Sequence, residues 1–97
     1  MSIEVKNLNG TGKDKAYNKG YSSWKDYWIN NNTTNNPWLF CAVHGCYELA
    51  VDGAHVKKVG NYDNRWYIIP MCHSHNMMED KVFEVDESYL VPVVSLQ

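Results

Sequence analysis

The chain has 97 residues, enough for one domain but only a modest core. Hydrophobic residues make up 44% and aromatics 13%, which excludes overall disorder. Nine Lys and Arg stand against 11 Asp and Glu, so the basic excess expected of a protein that coats nucleic acid is missing.

Residues 1–20 read as a flexible leader, with three glycines, several lysines and no usable periodicity. The first ten contain no apolar core of a signal peptide, and no apolar run approaches the length of a membrane span. These features set the expectation of a cytoplasmic protein that does not engage a membrane. Three cysteines cannot pair off completely as disulfides; in a reducing compartment such spacing more often means metal.

The remaining residues, 21–97, form one expected unit with its core at 38–80. Ser22 or Ser23 can cap a helix over 22–30. Trp24, Tyr27 and Trp28 then share one helix face, as core-packing residues do. The Asn- and Thr-rich run 30–37 reads as a linker. From Trp38, a cysteine-flanked turn leads into a strand over 53–59, a turn at 60–64 and a strand over 65–69. Pro70 is expected to end that strand and open a helix over 71–81, with Met77 and Met78 as helix and core residues. The tail 81–97 reads as one or two short strands, with Pro92 marking an edge.

Cys41 and Cys46 form one short-spaced pair, and Cys72 and His75 a second. Two such pairs separated by a long insert are the usual sequence form of a four-coordinate structural zinc site. Gly45 lets the backbone curl between the first two ligands. His44, three residues after Cys41, is an alternative to Cys46, and His73 is expected to face solvent. The fold class that follows is α+β: a small zinc-stapled treble clef (ββα) with an N-terminal aromatic helix and short C-terminal strands.

At Gly53-Ala54-His55-Val56 and at Ile69-Pro70-Met71-Cys72-His73-Ser74-His75-Asn76 the sequence resembles the HNH, or His-Me finger, family, in particular its small zinc-stapled phage and bacterial members. The resemblance covers about residues 38–80. It implies His55 as a general base against a phosphodiester, Asn76 as a ligand to a second, magnesium-like ion, and Asn64, with Asn61 behind it, orienting the base. Ala54 stands where many active members carry a metal-binding Asp or His, and Asp52 is the nearest carboxylate. One neutral ligand is thin provision for a divalent cation. The reading placed first is therefore a degenerate, non-catalytic HNH-like module that binds zinc and a protein or nucleic-acid partner, with no small-molecule cofactor. The alternative is a metal-dependent HNH-type endonuclease, using Mg2+ beside its zinc. A third, a small inhibitory accessory protein of a phage or mobile element, has no residue to support it. Lys57 and Lys58 could meet phosphate, though a solvated strand end is the simpler expectation. The acidic residues Glu79, Asp80, Glu84, Asp86 and Glu87 read as a solvated face or a seat for a basic protein.

Overall fold

The structure is a computed structural model that describes residues 1–8, 20–60 and 64–93. Its elements are β1 (Ser2–Asn7), α1 (Trp24–Asn31), β2 (Asp52–Lys58), β3 (Tyr67–Met71), α2 (His73–Asn76), β4 (Val82–Asp86) and β5 (Val91–Pro92), with a 3-10 turn at Glu87–Tyr89. The strands form one five-stranded sheet in the order β4-β1-β2-β3-β5, and every paired neighbour is antiparallel.

The first correction lies at the N-terminus. Residues 2–7, expected to be part of a loose leader, form a strand between β2 and β4. Ile3, Val5 and Asn7 alternate inward and Ser2, Glu4 and Lys6 outward, a period-two pattern only six residues long. Its partners lie some fifty and eighty residues further on: Lys6 sits opposite Lys57 on one side and Val82 on the other. The rest of the expected leader, residues 9–19, lies outside the described residues. The described fold is therefore a small mixed α+β arrangement that opens with a strand rather than with the aromatic helix.

Helix α1 follows its sequence signals. Ser23 caps it, its hydroxyl accepting the Asp26 N–H at 3.0 Å. Tyr27 and Trp28 are buried, and their polar tips reach the C-terminal segment: the Tyr27 hydroxyl donates to the Pro92 carbonyl at 2.9 Å and the Trp28 indole N–H to that of Tyr89 at 2.8 Å. The helix lies close on β2 because residue 53 is glycine. A Cβ there would fall 2.7 Å from the Cβ of Trp24 and 2.8 Å from its carbonyl carbon.

Strand β3 runs through Pro70 instead of stopping before it, and pairs it with Gly53. The ring is tolerated because the N and C=O of a strand residue point to the same side, and at Pro70 that side faces away from β2. Its carbonyl accepts the Ala42 N–H at 2.9 Å, so the missing donor disturbs no bond to β2. The following helix is also shorter than expected: α2 has four residues, not eleven. Asp80 adopts a left-handed φ of 62° and its N–H donates to the Asn7 carbonyl at 2.8 Å, turning the chain into β4. Met77 and Met78 are exposed rather than in the core.

The sheet divides the interior in two. One face carries Ile3, Val5, Ala54, Val56, Ile69, Met71, Phe83 and Val85 against the cysteine-bearing segment; the other carries Ile68 and Val91 against α1. Residues 39–50 form a small hairpin, with Phe40 bridging Leu49 and the Cys41 N–H donating to the Glu48 carbonyl. Ala42 bonds to β3, and His44 donates its N–H to the Glu84 carbonyl of β4, so this segment joins the two flanks of the curled sheet.

Candidate metal centre

The 39–50 hairpin and the β3–α2 junction bring Cys41, Cys46, Cys72 and His75 together. One donor atom from each lies within 4.8 Å of the other three. The Cys46 and Cys72 sulfurs are 3.9 Å apart, and His75 Nδ1 is 3.6 Å from the Cys41 sulfur and 3.2 Å from that of Cys72. A zinc tetrahedron with Zn–S of ~2.3 Å and Zn–N of ~2.05 Å has S–S edges of about 3.8 Å and S–N edges of about 3.6 Å. Two of the three short separations match these edges, the third is shorter, and no pair exceeds 4.8 Å, so the donors are close enough to share a single ion. Three soft sulfurs and one imidazole are also the chemistry zinc selects.

Local structure explains why these residues converge. Gly45 takes a φ of 82°, which turns the chain between Val43 and Cys46 and lets the Cys46 N–H reach the Val43 carbonyl at 3.0 Å. Cys72 occupies the N-cap of α2, where its sulfur accepts the His75 N–H at 3.5 Å, as a Ser or Asp oxygen would. One helical turn on, His75 points back at the same sulfur, with the edge of its ring against Phe83 at a centroid separation of 5.0 Å. The Cys41 sulfur accepts backbone N–H bonds from Val43 and Cys72, yet burial pushes its thiol up to about 12. A buried thiol of this kind becomes a thiolate when a cation replaces its proton.

The sequence left Cys46 and His44 open as second ligand. The structure places the Cys46 sulfur in the cluster, while His44 is exposed with Nδ1 3.4 Å from a Glu84 carboxylate oxygen. Four described residues therefore form a Cys3His cluster consistent with a structural zinc site. No helix among the described residues is long and apolar enough to cross a membrane.

Of the residues the resemblance singled out for catalysis, His55 and Asn76 stand on opposite faces of the sheet. His55 is opposite Ile68 in the ladder, on the face that packs under α1. It is buried, its ring edge-on to Trp24 at 4.7 Å and to Trp66 at 5.7 Å. Asn76 lies across the sheet: Asn7, opposite Val56 and so on the other face, donates its amide to the Asn76 carbonyl. Adjacent strand residues point to opposite faces, so the register alone separates His55 from Asn76. Asn64 is exposed, and Asn61 lies outside the described residues.

The sequence offered Asn76, with Asp52 nearby, as ligands of a second ion; the structure brings the two together and adds His73, which sequence reasoning left facing solvent. Asp52 Oδ2 is 3.1 Å from His73 Nδ1 and 3.1 Å from the Asn76 amide nitrogen. His73 faces outward as expected, but towards this carboxylate; the signal was the His-x-x-Asn spacing, one helical turn. Lys58 is also less free than a solvated strand end: its ammonium lies 3.5 Å from Glu87 and 5.0 Å from the Tyr67 ring centroid.

The class that fold and site define is a small α+β module with a Cys3His cluster. Comparison with family models, curated proteins and solved structures finds no match.

Proposed function

We propose that this chain is a degenerate, non-catalytic relative of the HNH treble-clef modules, in which zinc stiffens a docking surface for a protein partner rather than serving chemistry. The observation that carries this reading is the exposed apolar surface of the 39–50 hairpin and its flank. Tyr47 is 84% exposed, Leu49 61%, Val51 58% and Phe40 48%. Phe40 and Leu49 are directly paired, so they present one face, and Val51 extends it by the pleat. A contiguous apolar patch on a rigid hairpin marks an interaction site more often than a solvent face. Beside it lies a cleft of about 290 Å³ with Pro37, Leu39, Phe40 and Tyr89 in its walls and Asp86 at its rim.

Charge selects the occupant. Between Lys25 and Lys57 the chain has no Lys or Arg, and Glu48, Glu84 and Asp86 lie on or beside the hairpin. The surface suits a protein segment whose apolar side chains alternate with Lys or Arg, and repels nucleic acid. The separation of His55 from Asn76 supports the non-catalytic reading; the sequence motif around His55 is what favours an endonuclease.

Two measurements test this. A peptide alternating Leu with Lys should shift the NMR resonances of Phe40, Tyr47, Leu49 and Val51, while the Leu/Glu analogue and single-stranded DNA should not. No shift with the basic peptide, equal shifts with both peptides, or a chain already dimerised through this surface would overturn the assignment. Supercoiled plasmid should remain intact with zinc-loaded protein and Mg2+ or Mn2+; nicking that disappears in His55→Ala would restore the endonuclease reading.

A further inference from the structure

We propose that Cys46 is a peroxide-reactive site whose oxidation replaces the metal clamp by a disulfide to Cys72, joining the same two segments of the fold. Cys41 and Cys72 are buried, whereas Cys46 is only half-buried. It follows the turn of the 39–50 hairpin, and its neighbours His44, Gly45, Tyr47 and Glu48 are all exposed, so solvent reaches this part of the chain. A Cβ on Gly45 would meet nothing within 4 Å, so no atom packs on that side of the turn.

The second sulfur is already in place. The Cys46 and Cys72 sulfurs are 3.9 Å apart, and a disulfide of ~2.04 Å requires them to close by about 1.9 Å. Cys72 is fixed as the N-cap of α2, so the open turn at Gly45 is the part that gives. Zinc, when bound, keeps the cysteines as thiolates, the form that attacks an electrophile. The Cys46 thiolate attacks one oxygen of hydrogen peroxide: an S–O bond forms, the O–O bond breaks and hydroxide leaves. The Cys72 thiolate then attacks the Cys46 sulfur: the S–S bond forms, the S–O bond breaks and a second hydroxide leaves. The two sulfurs together give up two electrons, the peroxide takes them, and solvent protons convert both hydroxides to water. Cys41 and His75 remain, too few ligands to keep a tetrahedral ion.

Connectivity decides what survives the loss of metal. A bond between Cys46 and Cys72 ties the hairpin to the β3–α2 junction, as the cluster does, and encloses β2 and β3 in its loop. A bond between Cys41 and Cys46 would stay within the hairpin and tie it to nothing. The oxidised chain therefore keeps its tertiary structure without zinc, which the reduced chain does not. This inference is independent of what docks on the hairpin.

Hydrogen peroxide added to the zinc-loaded protein should release about one zinc per chain to a chromogenic chelator. Peptide mapping should then find Cys46 joined to Cys72 in a monomer two hydrogens lighter than the reduced metal-free chain. The near-ultraviolet circular dichroism should persist, and dithiothreitol with zinc should reverse the change. Zinc retained at millimolar peroxide, a disulfide that includes Cys41 or links two chains, or loss of the tertiary signal would each overturn the proposal. Cys46→His offers an imidazole in place of the thiolate, and should hold zinc yet release it to peroxide about tenfold or more slowly. Release at the wild-type rate would move the reactive sulfur to Cys41 or Cys72 and overturn the assignment. If that variant fails to load zinc, the disulfide map of the wild type decides alone.

Discussion

The side-chain amide of Asn7 lies 3.0 Å from the main-chain carbonyl of Asn76 and 3.1 Å from that of Met78. It joins the first strand to the short helix that carries His75, and the Asn7 side chain is buried. A helix of one turn cannot stabilise itself. The metal cluster and this amide together substitute for the missing turns.

Asn7→Leu should remove the donor and leave those carbonyls short of a partner. At about 1–3 kcal/mol for a buried acceptor left unsatisfied, the zinc-loaded variant should unfold about 2 kcal/mol more easily in urea. It should also lose zinc faster to a chelator. Unchanged stability and zinc loss would mean that α2 is held by the cluster alone.

Gly53→Ala tests the contact between α1 and β2. The new methyl would meet backbone and Cβ of Trp24 below 3 Å, with no flexible side chain to yield. A loss of about 1–3 kcal/mol is expected, with changed tryptophan fluorescence as the helix is displaced. Wild-type stability would show that α1 can slide on the sheet.

Zinc should be present at about one equivalent by elemental analysis, and its removal should abolish the near-ultraviolet circular dichroism of the clustered tryptophans. Cys72→Ser should do the same, because it takes away a ligand while its hydroxyl can still cap α2. Retained tertiary signal after complete chelation would place the stability in the sheet instead.

The pH dependence of zinc binding follows from Cys41. Its thiol, raised by burial from 9.0 to about 12, is protonated in the metal-free fold at neutral pH. Metal-free, this group contributes stability that is fully present below pH 9 and lost as pH rises towards 12. With zinc the sign reverses, because the bound form is the thiolate: protons compete with the metal, and stability falls as pH falls. Competition against a chelator at pH 6.5, 7.5 and 8.5 should show zinc affinity rising by about a decade or more per pH unit. A flat profile would mean that the Cys41 proton is not displaced.

The chemistry of the cluster is legible in the chain itself. Cys41, Cys46, Cys72 and His75 fall into two short-spaced pairs, and ligand spacing is a local property that the backbone between two ligands largely dictates. The capped aromatic turn from Ser23 to Trp28 is legible for the same reason. His44 against Cys46 stays open in the sequence because both lie within reach of one turn. The sheet decides it, by bonding the His44 N–H to β4 and leaving Cys46 beside Cys41, Cys72 and His75.

The rest depends on long-range pairing. Six alternating residues at the N-terminus resemble many loops until partners fifty and eighty residues away complete both edges. Pro70 reads as a strand terminator unless the side of the ladder it faces is known. Most consequential is the register of β2 with β3. It directs His55 towards the indoles of Trp24 and Trp66, while Asp52 meets His73 and Asn76. A slip by one residue would exchange the two faces, and nothing within the tetrapeptide Gly53-Ala54-His55-Val56 encodes which way it falls. Residue spacing therefore determined which atoms can share a zinc ion, whereas the choice of face, and with it the surroundings of His55, was made by the packing of the whole sheet between α1 and the cysteine hairpin.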